Sequence, residues 1–252
     1  MGRLMLDGQT VLVTGATGAI GRAICTALAA DGARVLIHYG RNRAAAETLL
    51  AAIGGRGAIL PADLTDAAAS GALWNAVEAQ GRVTGLVNNA GIRSEVSVDA
   101  PMAEWQAVWE REFRVNFLAA ADLTKCAIRH FRRHGGGRIV NMASRAGQRG
   151  YGSNAMAYGA SKAALINLTR SVAQSHGAEG ITAVALAPGW VRTEMAEAFI
   201  AQHGEAAALE GIPIGRMAAP EEIGELVAFL FRPSQVSLNG AVLDVNGGSY
   251  LR

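Results

Sequence analysis

The sequence predicts a single doubly wound α/β domain, with a seven-stranded parallel sheet covered by helices on both faces. Three observations carry this expectation. Short runs rich in valine, isoleucine and leucine alternate with longer helical patterns along the whole chain. The 252 residues, half of them apolar, suit one large α/β domain, and no linker, low-complexity tract or repeat divides them. Glycine is frequent (31) and aromatic residues are few, which favours closely packed layers over a sandwich or barrel.

The expected strands cover residues 10–14, 34–38, 58–62, 85–88, 138–142, 182–187 and 242–245. Each is brief and bounded by turn residues. Helical patterns fill residues 19–30, 43–53, 67–80, 102–134, 155–176 and 221–231. The last has Pro220 at its start and Glu221 and Glu222 in its first turn, where caps and the helix dipole favour them. Strands separated by single helices need right-handed crossovers and therefore pair in parallel.

Composition removes several functions. A net charge of +2 marks neither a nucleic-acid nor a membrane partner. His130 and His134 stand one helical turn apart, but no third metal ligand accompanies them. With Arg129, Arg132 and Arg133 they read as cations at a helix C-terminus ahead of three glycines. Cys25 and Cys126 lie far apart in apolar helical patterns, as expected of buried free thiols in a reducing compartment. The N-terminal residues, Met1 to Asp7, hold no apolar leader core, and no apolar run has membrane-spanning length. A soluble cytoplasmic protein is the expectation.

The first strand runs into Thr14-Gly15-Ala16-Thr17-Gly18-Ala19-Ile20-Gly21, which opens a helix. A strand, a glycine-rich turn and a helix N-terminus form the context of a dinucleotide site. Gly15 makes the tight turn, Gly21 lets the helix approach the sheet, and free amides at the helix start face a pyrophosphate. A plain β–α turn with excess glycine is the competing interpretation.

Tyr158 and Lys162 sit at i, i+4, so on a helix both emerge from one face. A positive charge beside a phenol favours the phenolate and makes tyrosine a usable acid near neutral pH. The chain holds only two lysines, Lys125 and Lys162, beside 21 arginines. Lysine offers a compact, rotatable donor where arginine offers a planar fork. Alone, the pair would pass for ordinary amphipathic surface.

Taken in order, these segments resemble the short-chain dehydrogenase/reductase family over essentially the whole chain. The glycine turn fits with one departure, Ala19 in place of the middle glycine. Asn88-Asn89-Ala90-Gly91 follows the fourth strand, Asn116 lies in a long helix, and Ser144 follows the fifth strand. Tyr158 and Lys162 come next. Pro188-Gly189-Trp190-Val191-Arg192-Thr193 follows the sixth strand, and the tail from Pro213-Ile214-Gly215-Arg216 to Asn246-Gly247-Gly248 also fits.

The resemblance implies a Rossmann-type fold, hydride transfer between a nicotinamide and a ketone or secondary alcohol, and a homotetramer. It implies that Tyr158 moves the proton, that Lys162 lowers the tyrosine pKa and holds the ribose, and that Ser144 bonds the substrate oxygen. Asn116 would complete a proton relay. Gly15, Thr17, Gly18, Ala19, Ile20 and Gly21 would hold the diphosphate side. Asp63 would bond the adenine amino group, and Leu64, Asn89, Ala90 and Gly91 would be further cofactor-binding residues. Pro188 and Gly189 would shape the nicotinamide turn, with the backbone of Val191 and Thr193 on the carboxamide. Ser144 stands fourteen positions before Tyr158, one more than the family's usual spacing. The shorter spacing lands on Arg145, which cannot replace a serine, and Ser153 is the other serine nearby. The extra residue is placed in the loop 147–153.

A carboxylate after the second strand selects NAD by bonding the ribose 2′-hydroxyl. Tyr39 occupies that position here, followed by Gly40-Arg41-Asn42-Arg43. Arg41 can clamp a 2′-phosphate, and Arg43 is a second candidate. NADP(H) is therefore favoured and NAD(H) stays open, because Gly18 stands where NADP-using relatives often carry a basic residue. Residues 194–210, within a region of about 190–215, form the expected substrate lid. Arg93, Arg145, Tyr151, Trp190 and Met195 are candidate substrate-wall residues, and either arginine can accept an anion. A small-molecule carbonyl or alcohol is the expected partner. A 3-oxoacyl thioester reductase is the rival enzyme, and a non-catalytic nucleotide-sensing regulator is the rival of another class.

Overall fold

The computed structural model describes residues 5–252; residues 1–4, part of the N-terminal stretch read for a leader, lie outside the described residues. Every position of β1 (Thr10–Val13), β4 (Gly85–Asn88) and β6 (Ile181–Pro188) is buried. A strand with no wet side must be covered on both faces. These three join β2 (Arg34–Tyr39), β3 (Gly57–Pro61), β5 (Gly137–Met142) and β7 (Val242–Val245) in one sheet, ordered β3-β2-β1-β4-β5-β6-β7. Every pairing is parallel. The covering helices are α1 (Ala19–Ala30), α2 (Arg43–Ala52), α3 (Ala69–Glu78), α4 (Met102–Phe113), α5 (Ala119–His134), α6 (Ala146–Arg149), α7 (Met156–His176), α8 (Glu194–His203), α9 (Glu205–Leu209) and α10 (Pro220–Phe231).

The period-two alternation of β1 feeds two cores. Val11 and Val13 join Ile24, Leu28, Val227 and Phe231 on one face. Leu12 joins Leu73, Leu123, Phe131 and Ile139 on the other. Strand order reverses between β1 and β4, so their C-terminal ends open a crevice, the place where such sheets bind ligands.

Two side chains fasten the rims of that crevice. Thr14 Oγ1 donates to the Val87 carbonyl at 3.2 Å and accepts from the amides of Asn89 (2.9 Å) and Ala90 (3.0 Å). Asn89 Nδ2 donates back to the carbonyls of Thr14 (2.8 Å) and Gly15 (3.1 Å).

Several expected boundaries move. The helix expected over 67–80 is α3 alone, because Asp66 Oδ1 accepts from the Ala68 amide and turns the chain first. The helix expected over 102–134 is broken by a wider π-type turn, Arg114–Leu118, between α4 and α5. Such turns insert one residue into the helix ladder and recur at functional sites. The segment 147–153, expected as loop, overlaps the one-turn helix α6 and a short 3₁₀ turn, Ser153–Ala155. The segment expected as a lid is two helices, α8 and α9, parted by Gly204 at φ +82°. Cys126 is half-buried rather than buried, whereas Cys25 is sealed; both thiols are free.

His130 braces the fold. Its Nε2 accepts from the Val83 amide at 3.0 Å, which places the proton on Nδ1, 3.1 Å from Glu78 Oε1. Among the described residues, no helix is long and apolar enough to cross a membrane.

α1, which begins at the glycine turn, rests on α10 through Gly224, where an added Cβ would lie 2.5 Å from the Ala23 carbonyl oxygen. Gly224→Val is expected to destabilise the fold by about 1–3 kcal/mol, since overpacking forces the two helices apart. Urea denaturation measures it, and an unchanged midpoint would contradict this close packing.

Candidate active site

The glycine turn is built by steric necessity. Gly15 has φ +60°, and a Cβ there would lie 2.8 Å from Ala90 Cα. A Cβ at Gly21 would lie 2.4 Å from the Gly15 carbonyl oxygen. Gly18 meets nothing nearer than 3.6 Å and caps α1 with extended backbone. The first intrahelical bond runs from Arg22 N to Gly18 O at 2.9 Å, so the amides of Ala19, Ile20 and Gly21 have no acceptor within α1. That is an anion site by geometry. The start of α8 presents an anion toward it: the Glu194 carboxylate is 3.2 Å from Arg22 Nη2, and its own backbone amide, Arg22 and the Ala19 amide hold its pKa below the ordinary range. Ala19 starts α1 without disturbing it.

Beyond β2, the structure separates the two candidate arginines. Arg43 Nε donates to Glu47 at 2.8 Å, whereas the Arg41 side chain is exposed and makes no hydrogen bond among the described residues. Tyr39 is buried. Asn42 is occupied as the cap of α2, its Oδ1 accepting from Ala45 N at 3.0 Å. Asp63 Oδ1 accepts from Thr65 N (3.0 Å) and Thr65 Oγ1 (2.7 Å), which keeps the exposed carboxyl ionised below its ordinary pKa. Leu64 is buried beside it.

Ser144, Tyr158 and Lys162 meet at the opposite wall. Ser144 follows β5, and its Oγ accepts from Ala146 N at 3.1 Å. Gly147 of α6 packs so tightly on α7 that a Cβ would lie 2.6 Å from Ala163 N. That contact fixes Ser144 against Tyr158, and α6 lies within the longer spacing between them. Tyr158 is half-buried, and burial pushes its phenol up to about 12, with a hydrogen bond to Ser144 opposing. The expected lowering by Lys162 is absent. Lys162 Nζ lies 5.7 Å from the tyrosine ring centre and donates instead to the Met142 carbonyl at 2.8 Å. Only 4% of Lys162 is exposed, and burial brings its ammonium down to about 8, opposed by the Glu112 charge.

Asn116 does not line the cavity. It sits behind Gly91, where an added Cβ would be 3.3 Å from its Oδ1 and 3.2 Å from Lys162 Nζ. The π-type turn aims it inward: Oδ1 accepts from Ile92 N at 2.8 Å, and Nδ2 donates to Ile92 O at 2.9 Å and to Glu112 Oε2 at 2.7 Å.

One cavity of about 380 Å³ joins these parts. The glycine turn, with Thr17, Asn89, Ala90 and Gly91, lines it together with Ser144, Tyr158 and Lys162. Arg93, Arg145, Tyr151, Trp190 and Met195 all border it, together with Pro188, Gly189, Val191 and Thr193. Gly189 is pinned by its amide to Val245 O at 2.9 Å. Val191 and Thr193 donate their amides to no group among the described residues. Thr193 Oγ1 caps α8 through Ala196 N at 3.3 Å. Tyr39, Arg41, Asn42, Asp63 and Leu64 lie outside this cavity, around the far ends of β2 and β3.

Three residues at the site escape sequence reasoning. Thr14 fastens the two turns. His38 supports the glycine turn: its Nδ1 accepts from Gly15 N at 3.0 Å and its Nε2–H donates to Ala62 O at 3.1 Å. Burial lowers its pKa, which favours this neutral tautomer. Glu112 is 0% exposed and accepts from Ser94 N as well as Asn116; burial raises its carboxyl above the ordinary range. A histidine closing an apolar strand, and a glutamate four residues before a buried asparagine, were the available signals.

Comparison with known proteins agrees along the whole chain. A family model described as enoyl-(acyl carrier protein) reductase matches residues 15–250. The 3-oxoacyl-acyl-carrier-protein reductase of Escherichia coli (strain K12) is 35% identical over 247 residues, 97% of this chain and 98% of that protein. Oxidoreductase UcpA of Salmonella typhimurium is 35% identical over 259 residues, covering 98% of this chain and 96% of that one. A crystal structure described as an NAD(P)-dependent gluconate 5-dehydrogenase from Beutenbergia cavernae, with NADP bound at low occupancy, superposes with a TM-score of 0.89. It is 36% identical and covers 98% of this chain and 99% of its own.

Lys162 is held as a cation at a cost. Its pKa falls from 10.5 to about 8 on folding, so its charge penalises the fold below about pH 8 and the penalty fades as pH rises toward 10.5. Lys162→Met is expected to stabilise the protein without added nucleotide by about 1–3 kcal/mol near pH 7, and by less near pH 9.5. Denaturant titrations at both pH values measure this; a variant weaker than the parent near pH 7 would contradict it.

Proposed function

Because the chain belongs to the short-chain dehydrogenase/reductase family of NAD(P)-dependent oxidoreductases, we propose that it reduces a small ketone with NADPH and oxidises the matching secondary alcohol with NADP. One observation carries this reading. Ser144, Tyr158 and Lys162 line the same cavity as a helix N-terminus whose first amides have no acceptor within the helix.

The residues suit the cofactor. The Ala19, Ile20 and Gly21 amides would take the diphosphate, and those of Val191 and Thr193 the carboxamide. Tyr39 in place of a carboxylate, and Arg41 without a partner among the described residues, favour NADP(H). NAD(H), which needs nothing from Arg41, is the second candidate. When bound, the reduced cofactor supplies a hydride to the carbonyl carbon.

Tyr158 gives its proton to the carbonyl oxygen, and a phenol raised to about 12 is fully protonated for that task. Ser144 donates a hydrogen bond to the same oxygen as negative charge develops. Lys162, near 8, exchanges protons at physiological pH and replenishes Tyr158. Asn116 and Glu112 form the polar pocket behind it. Atoms balance as ketone plus NADPH plus a proton giving alcohol plus NADP.

A 3-oxoacyl thioester reductase is the second reading, supported by the 35% identical relative of that name. A homotetramer in the cytoplasm belongs to the same proposal. Trp105, Trp109, Phe113 and Phe117 form a half-exposed aromatic ladder with centroid steps of 5.6, 5.9 and 6.3 Å. Leu118 and Met102 are exposed at its two ends, a stripe that a second copy would cover. Two free thiols suit a reducing compartment.

A panel of ketones, alcohols and an acetoacetyl thioester, run with NADPH and NADH, tests the reading. NADPH-dependent ketone reduction is expected, with Tyr158→Phe losing about 100-fold or more in kcat while still binding NADPH. A tighter, faster reaction with NADH would refute the role of Arg41. Binding of NADPH without turnover of any carbonyl would favour a nucleotide sensor.

A further inference from the structure

The cavity wall holds a cation that the fold does not neutralise. Arg145 directly follows Ser144, borders the cavity, and is only 7% exposed. Its backbone is fixed by the amide bond to Pro188 O at 2.9 Å. Its guanidinium makes no hydrogen bond and no ion pair among the described residues. The other charged groups around the cavity are engaged, beginning with Lys162, whose Nζ donates to the Met142 carbonyl at 2.8 Å. Arg93 Nη2 is paired with Glu95 at 2.5 Å, and its guanidinium carbon lies 5.4 Å from the Tyr151 ring centre. Glu194 is held by Arg22. Glu112 is turned away, toward Ser94 and Asn116. Burial holds the Arg145 guanidinium below its ordinary pKa, the neighbouring Arg149 cation adds to this, and Tyr151 opposes it.

Burying a guanidinium is costly, and buried charges are normally paired, so an anion bound in the cavity would complete this one. The cofactor leaves this position free. Its diphosphate belongs to the start of α1, and the carboxamide to Val191 and Thr193. Arg145 stands instead beside the hydroxyl that would receive the reacting oxygen. A guanidinium presents a planar fork that matches an oxyanion in two parallel hydrogen bonds.

We propose that the substrate is an anionic ketone, or the matching hydroxy compound, and that Arg145 receives its carboxylate or phosphate. This rests on the oxidoreductase reading above and narrows it. It also separates the two enzyme readings, because a 3-oxoacyl thioester carries no carboxylate or phosphate beside its reacting carbonyl.

The test compares kcat/KM, with NADPH, for short oxo acids, their methyl esters, and dihydroxyacetone phosphate beside dihydroxyacetone. At least one anion is expected to exceed its neutral counterpart by about 100-fold, the worth of a buried charge-assisted pair. Which pair shows the difference distinguishes carboxylate from phosphate. Arg145→Gln is expected to collapse that ratio, and Arg145→Lys to restore part of it. NADPH affinity, followed by fluorescence, reports whether each variant is folded and whether Arg145 serves the cofactor instead. Equal use of anionic and neutral ketones, an undiminished ratio in Arg145→Gln, or a loss confined to NADPH affinity would overturn the proposal. Absence of turnover with every ketone, charged or neutral, would instead sink the oxidoreductase reading beneath it.

Discussion

An ammonium group with 4% of its residue exposed needs a rigid surrounding, and Lys162 has one on three sides. The end of β5 supplies the Met142 carbonyl, α6 clamps the α7 backbone through Gly147, and Gly91 leaves the space that Nζ and Asn116 share. Each contact constrains a different element. Together they fix where β5 ends, where Ser144 sits, and how closely the turn after β4 approaches. Desolvation weakens the ammonium, and the Glu112 carboxylate strengthens it from behind Asn116. Burial raises the Glu112 carboxyl, and the Lys162 charge opposes that rise, so each group favours the charge of the other.

The other half of the crevice depends on a smaller set of bonds. Thr14 and Asn89 tie the turn after β1 to the turn after β4, while His38 holds the Gly15 amide from β2. The glycine turn is thus supported by three adjacent strands. It can present free amides because its other polar groups are satisfied within the protein. Such support is what keeps a helix N-terminus preorganised for an anion.

Much of this architecture can be read from residues in order. All seven strands were legible because each is a short branched run closed by glycine, proline or asparagine, and parallel pairing followed from the single helices between them. The Gly15 and Gly21 positions were legible because only glycine fits where the structure leaves 2.8 and 2.4 Å. What stayed hidden depends on contacts distant in sequence. The π-type turn at Arg114–Leu118 has no local signature; it exists because Asn116 reaches Ile92, 24 residues upstream. Glu112, flanked by Arg111 and Arg114, resembles a solvated face until Ser94 closes over it. Arg145 looked interchangeable with Arg93 until Glu95 was found to occupy only one of them. The phenol of Tyr158 was expected to fall, but burial dominates and lysine points elsewhere.

In the proposed reaction a hydride reaches the carbonyl carbon while Tyr158 supplies the proton to oxygen. NADPH deuterated at C4 tests it directly, with the ketone that turns over best and mass spectrometry of the product. The account predicts one deuterium on the carbinol carbon and none on its neighbours. Deuterium on a carbon once part of a C=C bond, or an alcohol formed with no label from the cofactor, would contradict it.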